Sequence, residues 1–163
     1  MPTHPAPGPL HLIQSFANTL STDPDGDVLQ AREEAAAWLH KAALLPPDAG
    51  LTSSEHAALL RLRDSIRAVL AAHTRGREDA EAAARLTKAL ADGRLVVTVG
   101  ASSSVKLATA ARSSYPTVVA DIAVAVAEAA AEGTWLRLRS CPAPHCGRAF
   151  YADSASGRCP MHG

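Results

Sequence analysis

Apolar positions recur at helical spacing along most of this chain. Leu10, Ile13, Phe16, Ala17 and Leu20 share one face and predict a first helix over residues 10–20. Residues 21–27 (STDPDGD) are dense in turn and capping types, and after them Val28, Ala31, Ala35, Trp38, Leu39 and Ala42 resume the period in a second helix that ends before Pro46-Pro47. Thr52-Ser53-Ser54-Glu55 has the form of a capping box and opens a third helix. Its inward face is Leu59, Leu62, Ile66, Val69, Leu70 and His73, and its expected outer face is Arg61, Arg63, Asp64 and Arg67. A fourth helix is expected from about residue 78 to 90, closed by Asp92-Gly93.

The pattern then shortens to a period of two. Leu95–Val99 is β-branched and reads as a strand, and residues 105–111 can return antiparallel after the Gly100–Ser104 turn. Tyr115-Pro116 starts a fifth helix with Val118, Ile122, Ala125, Val126 and Ala129 inward, and Gly133 closes it. Beyond Gly133, Leu136-Arg137-Leu138-Arg139 alternates like a strand. The expected fold is mainly α: about five helices with a short β-hairpin, plus a C-terminal zinc-ribbon-like knuckle. The expected organisation is a flexible lead-in over 1–9, an alanine-rich helical domain over 10–133 and a separate finger over 134–163.

Composition narrows the class. At 47% hydrophobic and 20% charged residues, the 163-residue chain can build a core and is too weakly charged for general disorder. Sixteen cations balance sixteen anions, so no overall basic field exists to attract nucleic acid, and such a partner needs a local patch. No apolar run is expected to approach the ~18 residues of a bilayer span. The start, MPTHPAPGPL, has four prolines and no Lys or Arg, unlike a secretory signal, which points to a cytoplasmic protein.

All three cysteines fall in the last 23 residues. Cys141 and Cys146 are separated by four residues, and Cys159 and His162 by two. Three thiols and an imidazole in two short-spaced pairs suit one tetrahedral zinc, with every ligand place filled by protein and hence a structural role. His145 is a rival to His162 as fourth ligand. A disulfide framework fits poorly with an odd cysteine count, and no Cys-x-x-Cys redox pair is present. His-Glu-x-x-His, Gly-x-Ser-x-Gly, Walker and deaminase patterns are absent from the sequence, so no enzymatic activity is expected. Asn18, Thr19, His11, His40, His56 and His73 could face a ligand pocket, but isolated polar residues on amphipathic helices are more often boundary groups.

Leu138, Arg139, Cys141, Cys146, Phe150, Tyr151, Ser154 and Cys159 follow the order of the CGNR zinc finger of bacterial regulators, with Asp153 displaced by one. The upstream segments SFANTL, Trp38-Leu39, LLRLRDSIRAVL and LTKAL resemble the ABATE domain that precedes that finger. The resemblance implies a stress-induced transcriptional regulator whose finger binds DNA. It also implies a Trp-Cys pair, a final Cys-Gly-Asn-Arg and a basic tail. The sequence instead reads Cys159-Pro160-Met161-His162-Gly163, so His162 stands in for the last cysteine.

Four arginines against Asp153 give residues 134–163 a net charge of +3. Arg137, Arg139, Arg148 and Arg158 are therefore the expected DNA contacts, and a homodimer would double a set that is small for one DNA site. Phe150 and Tyr151 are expected to cover the knuckle rather than stack on bases. In this reading the helical domain senses a signal, such as an unidentified small-molecule effector, or dimerises. The contrasting reading is a zinc-stabilised ligand-binding or protein-interaction protein, whose finger braces the fifth helix and does not touch DNA.

Overall fold

A computed structural model describes residues 5–22, 24, 26–154 and 157–162. Residues 1–4 of the expected lead-in lie outside them, whereas Ala6 is buried and its N–H donates to Gln14 Oε1 at 2.7 Å. Five helices follow in chain order: α1 Leu10–Ala17, α2 Arg32–Lys41, α3 Ser53–Arg75, α4 Ala80–Leu90 and α5 Ser114–Ala131. Between α4 and α5 lies the hairpin of β1 Leu95–Val99 and β2 Val105–Thr109, and after α5 a smaller ribbon of β3 Leu138–Ser140 and β4 Ala149–Tyr151.

The helix starts obey local chemistry. Thr52 caps α3, its hydroxyl accepting the Glu55 N–H at 3.1 Å, and Asp79 caps α4 by accepting the Ala82 N–H at 2.9 Å. Gly76 closes α3 in the left-handed region, at φ 59°. At Gly93 the constraint is steric: a Cβ there would lie 2.9 Å from the Ala120 backbone nitrogen, so the turn after α4 packs directly on α5.

The core gathers Leu10, Ile13 and Phe16 of α1, Leu39 of α2, Leu59, Leu62, Ile66 and Leu70 of α3, and Val118 and Ile122 of α5. Phe16 and Trp38 meet as tilted rings with centroids 6.0 Å apart. By length and hydropathy α5 could cross a bilayer, contrary to the expectation that no stretch is long enough. It spends this apolar character on the core, burying eight residues from Tyr115 to Ala129.

Helical periodicity misplaces the start of α2. The helix begins at Arg32, so Val28 sits in the preceding turn and is 41% exposed, while Leu29 is fully buried. The His56 ring N–H donates to the Leu29 carbonyl at 2.8 Å and fixes that turn. His40 does the same for Ala49 at 2.7 Å, so both histidines serve backbone carbonyls.

The expected outer face of α3 needs correction at two positions. Arg63 is 3% exposed, and its Nη1 and Nη2 donate to the two carboxylate oxygens of Asp27 at 2.6 and 2.8 Å. Arg67 is half-buried beside the end of α1. Both turn inward because the α1–α2 loop folds over this face, with Leu20 bridged to Asp27 and the Asp27 carboxylate also taking the Leu29 N–H. The Arg63 guanidinium, ahead of the opposing effect of burial, holds the Asp27 carboxyl below its ordinary value of 3.8.

Removing one partner of a buried ion pair strands the other. Arg63→Ala is expected to cost about 3 kcal/mol or more in urea denaturation near neutral pH. Because the folded carboxyl is depressed, this contribution is present above the ordinary value and fades as pH falls through the folded one. The gap between wild type and Arg63→Ala should therefore narrow in acid.

Candidate metal centre

The β3–β4 ribbon carries the cysteines. Its register pairs Leu138 with Tyr151, Arg139 with Phe150 and Ser140 with Ala149. The Cys141 N–H donates to Arg148 O and the Ala152 N–H to Arg137 O, each at 2.8 Å, which leaves Ser140 and Ala149 as a pair whose backbone groups point away from each other. Two-stranded ribbons are marginal when such edges face water. Here the helices supply the missing partners.

On the β3 side, the Thr74 hydroxyl donates to Ser140 O at 2.7 Å and accepts from Ser140 N–H at 3.0 Å. One residue earlier, His73 Nδ1–H donates to Leu138 O at 2.8 Å. On the β4 side, Asn18 Oδ1 accepts the Ala149 N–H at 2.8 Å and its Nδ2 donates back to Ala149 O at 3.0 Å. The last turn of α3 and the end of α1 thus grip opposite edges of the ribbon. Leu138 and Ala149 lie in the same buried core as the helices, so that core continues across residue 134. The bracing runs to α1 and α3, where the sequence reading named the fifth helix; α5 meets the segment at the Trp135–Arg137 turn.

Burial holds the His73 imidazole below its ordinary pKa, keeping it neutral against the edge of Trp135, 5.0 Å between ring centroids. Asn18, His40, His56 and His73 each have a backbone partner, and Asn18 also lines a cleft beside the knuckle. Phe150 is buried against Cys141, Cys159 and Ala152, and so roofs the knuckle.

Cys141, Cys146, Cys159 and His162 converge with their ligand atoms all within 4.8 Å of one another. His162 Nδ1 lies 3.4 Å from the Cys141 sulfur and 3.9 Å from that of Cys159. Tetrahedral zinc, with Zn–S of about 2.3 Å and Zn–N of about 2.0 Å, requires edges of about 3.5–3.8 Å. The donor set and its spacing fit a metal ion. His145, the rival ligand, is exposed and outside this cluster, its backbone left-handed at φ 63° next to Cys146. Burial, with Cys159 and Cys146 adding to it, pushes the Cys141 thiol up to about 12. A bound cation reverses this preference by taking the sulfur as thiolate.

The arginines of this segment divide between two clefts. Arg139 and Arg158 line one of about 390 Å³ together with Phe150 and His162. Arg148 lines another of about 520 Å³, between the knuckle and the α1–α2 loop, with His145, His162 and Ser21. Arg137 is exposed, its Nη1 donating to Asp153 O at 3.4 Å.

The profile of one family, described as "Putative stress-induced transcription regulator", matches residues 10–133. The chain belongs to the ABATE family. No curated protein matches it. The ABATE match takes in α1 through α5, and SFANTL, one of the segments that carried the resemblance, supplies Asn18. Sequence reasoning had no signal for the roles of Asn18 and Thr74, because their partners lie 131 and 66 residues away.

Asn18→Ala leaves the buried Ala149 N–H without a partner and its carbonyl with only Gln14 Nε2 at 3.4 Å, and Thr74→Val removes both side-chain bonds from Ser140. Each is expected to cost about 1–3 kcal/mol. The corresponding Ala149 or Ser140 amide should exchange with solvent faster in each variant.

Proposed function

We propose that this chain is a transcription regulator in which zinc, held by Cys141, Cys146, Cys159 and His162, stiffens a ribbon that meets DNA. Three thiolates and one imidazole are a soft, four-coordinate set of the kind that selects zinc. Protein atoms fill every ligand place, so the metal's role is structural and the chain is not an enzyme. The ABATE match supports the regulatory role. The observation that carries the DNA step is the shared cleft of Arg139 and Arg158 against the metal knuckle, with Arg137 exposed on the same segment. Arg148 lies at the neighbouring cleft, so phosphates tracking across His162 would meet arginines on both sides.

Four arginines are few for one DNA site, so a homodimer binding two half-sites completes the reading. The helical domain carries the input, from a small effector or from dimerisation, and the protein works in the cytoplasm. A second reading, a zinc-braced interaction or ligand-binding protein without DNA, is favoured by the grip of Asn18 and Thr74, which gives the ribbon a structural purpose of its own.

A titration of zinc-loaded protein against duplex DNA separates the two. The DNA reading predicts an affinity that falls steeply with salt, and a salt slope reduced by about one in each of Arg137→Gln and Arg158→Gln. Binding that is absent, or indifferent to salt and to both substitutions, favours the second reading.

A further inference from the structure

Arg67 stands behind the metal cluster in a position the ligand count does not explain. Its Nη1 donates to Ala17 O at 2.8 Å, at the end of α1, and to Leu20 O at 3.4 Å, in the turn that follows it. Its Nη2 presses on the knuckle at Gly147, where a Cβ would lie only 2.7 Å away. Gly147 is left-handed at φ 61° and follows the ligand Cys146 directly, so a glycine here answers both the turn and the approach of the guanidinium. Arg67 shares one cleft with Cys141, Cys146 and Gly147.

Charge gives this placement its meaning. A guanidinium stays protonated even when burial opposes it, and so needs a counter-charge. Among the described residues no carboxylate lies within ion-pair distance of Arg67: Asp27 is taken by Arg63, and Asp64 pairs with Arg63 Nε at 3.6 Å. Three thiolates around a divalent cation leave one net negative charge. We infer that Arg67 is a positioning residue for the metal centre, neutralising the metal–thiolate cluster from behind Cys146 and tying it to the C-terminal end of α1. The inference rests on the Cys3His cluster holding a metal ion and extends that reading to α3. Burial and the neighbouring Arg63 lower the Arg67 pKa, and Asp64, Cys146 and Asp27 oppose that shift.

The test uses the full chain loaded with zinc or, as a spectroscopic probe, with cobalt(II). Arg67→Met keeps the length of the side chain and removes its charge. It is expected to weaken zinc in competition with a chromophoric chelator by about ten- to a hundredfold, the range found for partners behind metal ligands. It should also move the thiolate-to-cobalt charge-transfer band to lower energy, because the sulfur lone pairs lose a nearby cation. A purely structural role for Arg67 would not shift that band. Should Arg67→Met fail to fold by circular dichroism, Arg67→Lys keeps a charge without the fork and should show a smaller shift in the same direction. An unmoved band and unchanged zinc affinity in the folded variant overturn the inference while leaving the metal site standing. Wild type that takes up neither zinc nor cobalt overturns both.

Discussion

The structure depends on four outward-pointing peptide groups. Ser140 and Ala149 face each other across the small ribbon with their N–H and C=O groups directed away, and the helices satisfy all four through Thr74 and Asn18. A three-residue strand pair has too little ladder and too little core to stand alone. Gripped on both edges and plugged into the core by Leu138 and Ala149, it becomes a fixed platform on which Cys141, Cys146 and Cys159 sit at defined distances. The same α3 turn that presents Thr74 presents His73, so one helix end serves the β3 edge twice.

The metal site inherits its precision from this arrangement. Cys141 follows β3 directly, and Cys146 precedes β4 by two residues, across Gly147 and Arg148. The ribbon register therefore sets the spacing of the first ligand pair, and His162 closes the cluster from the last described residues. Because the platform shares its core with α1, α3 and the rest of the helical domain, a metal held by these four residues would act on the same interface as the helix packing. Such a link is what a regulator requires if an event in one part is to be felt in the other.

Much of this was legible locally. Thr52 as a cap, the hairpin with Leu95–Val99 as its first strand, and the four clustered ligands all follow from short-range spacing, which physical periodicity and metal chemistry restrict tightly. The arginines of α3 were not. Arg63 and Arg67 fall on the expected solvent face by helical phase, and turn inward because a loop from far earlier in the chain lies over them and offers Asp27 and the Ala17 carbonyl of α1. Asn18 likewise reads as an ordinary helix-end residue, since nothing in its neighbourhood reveals a partner 131 residues later. What escaped was side-chain recognition of distant backbone, which leaves no period in the sequence.

Thermal unfolding of the full chain, followed by helical circular dichroism with zinc bound and after chelation, tests the central claim most directly. If ribbon and helices are one unit, removing zinc lowers the midpoint of the whole helical transition and leaves a single cooperative step. An unchanged helical transition, with only the ribbon losing order, would contradict it.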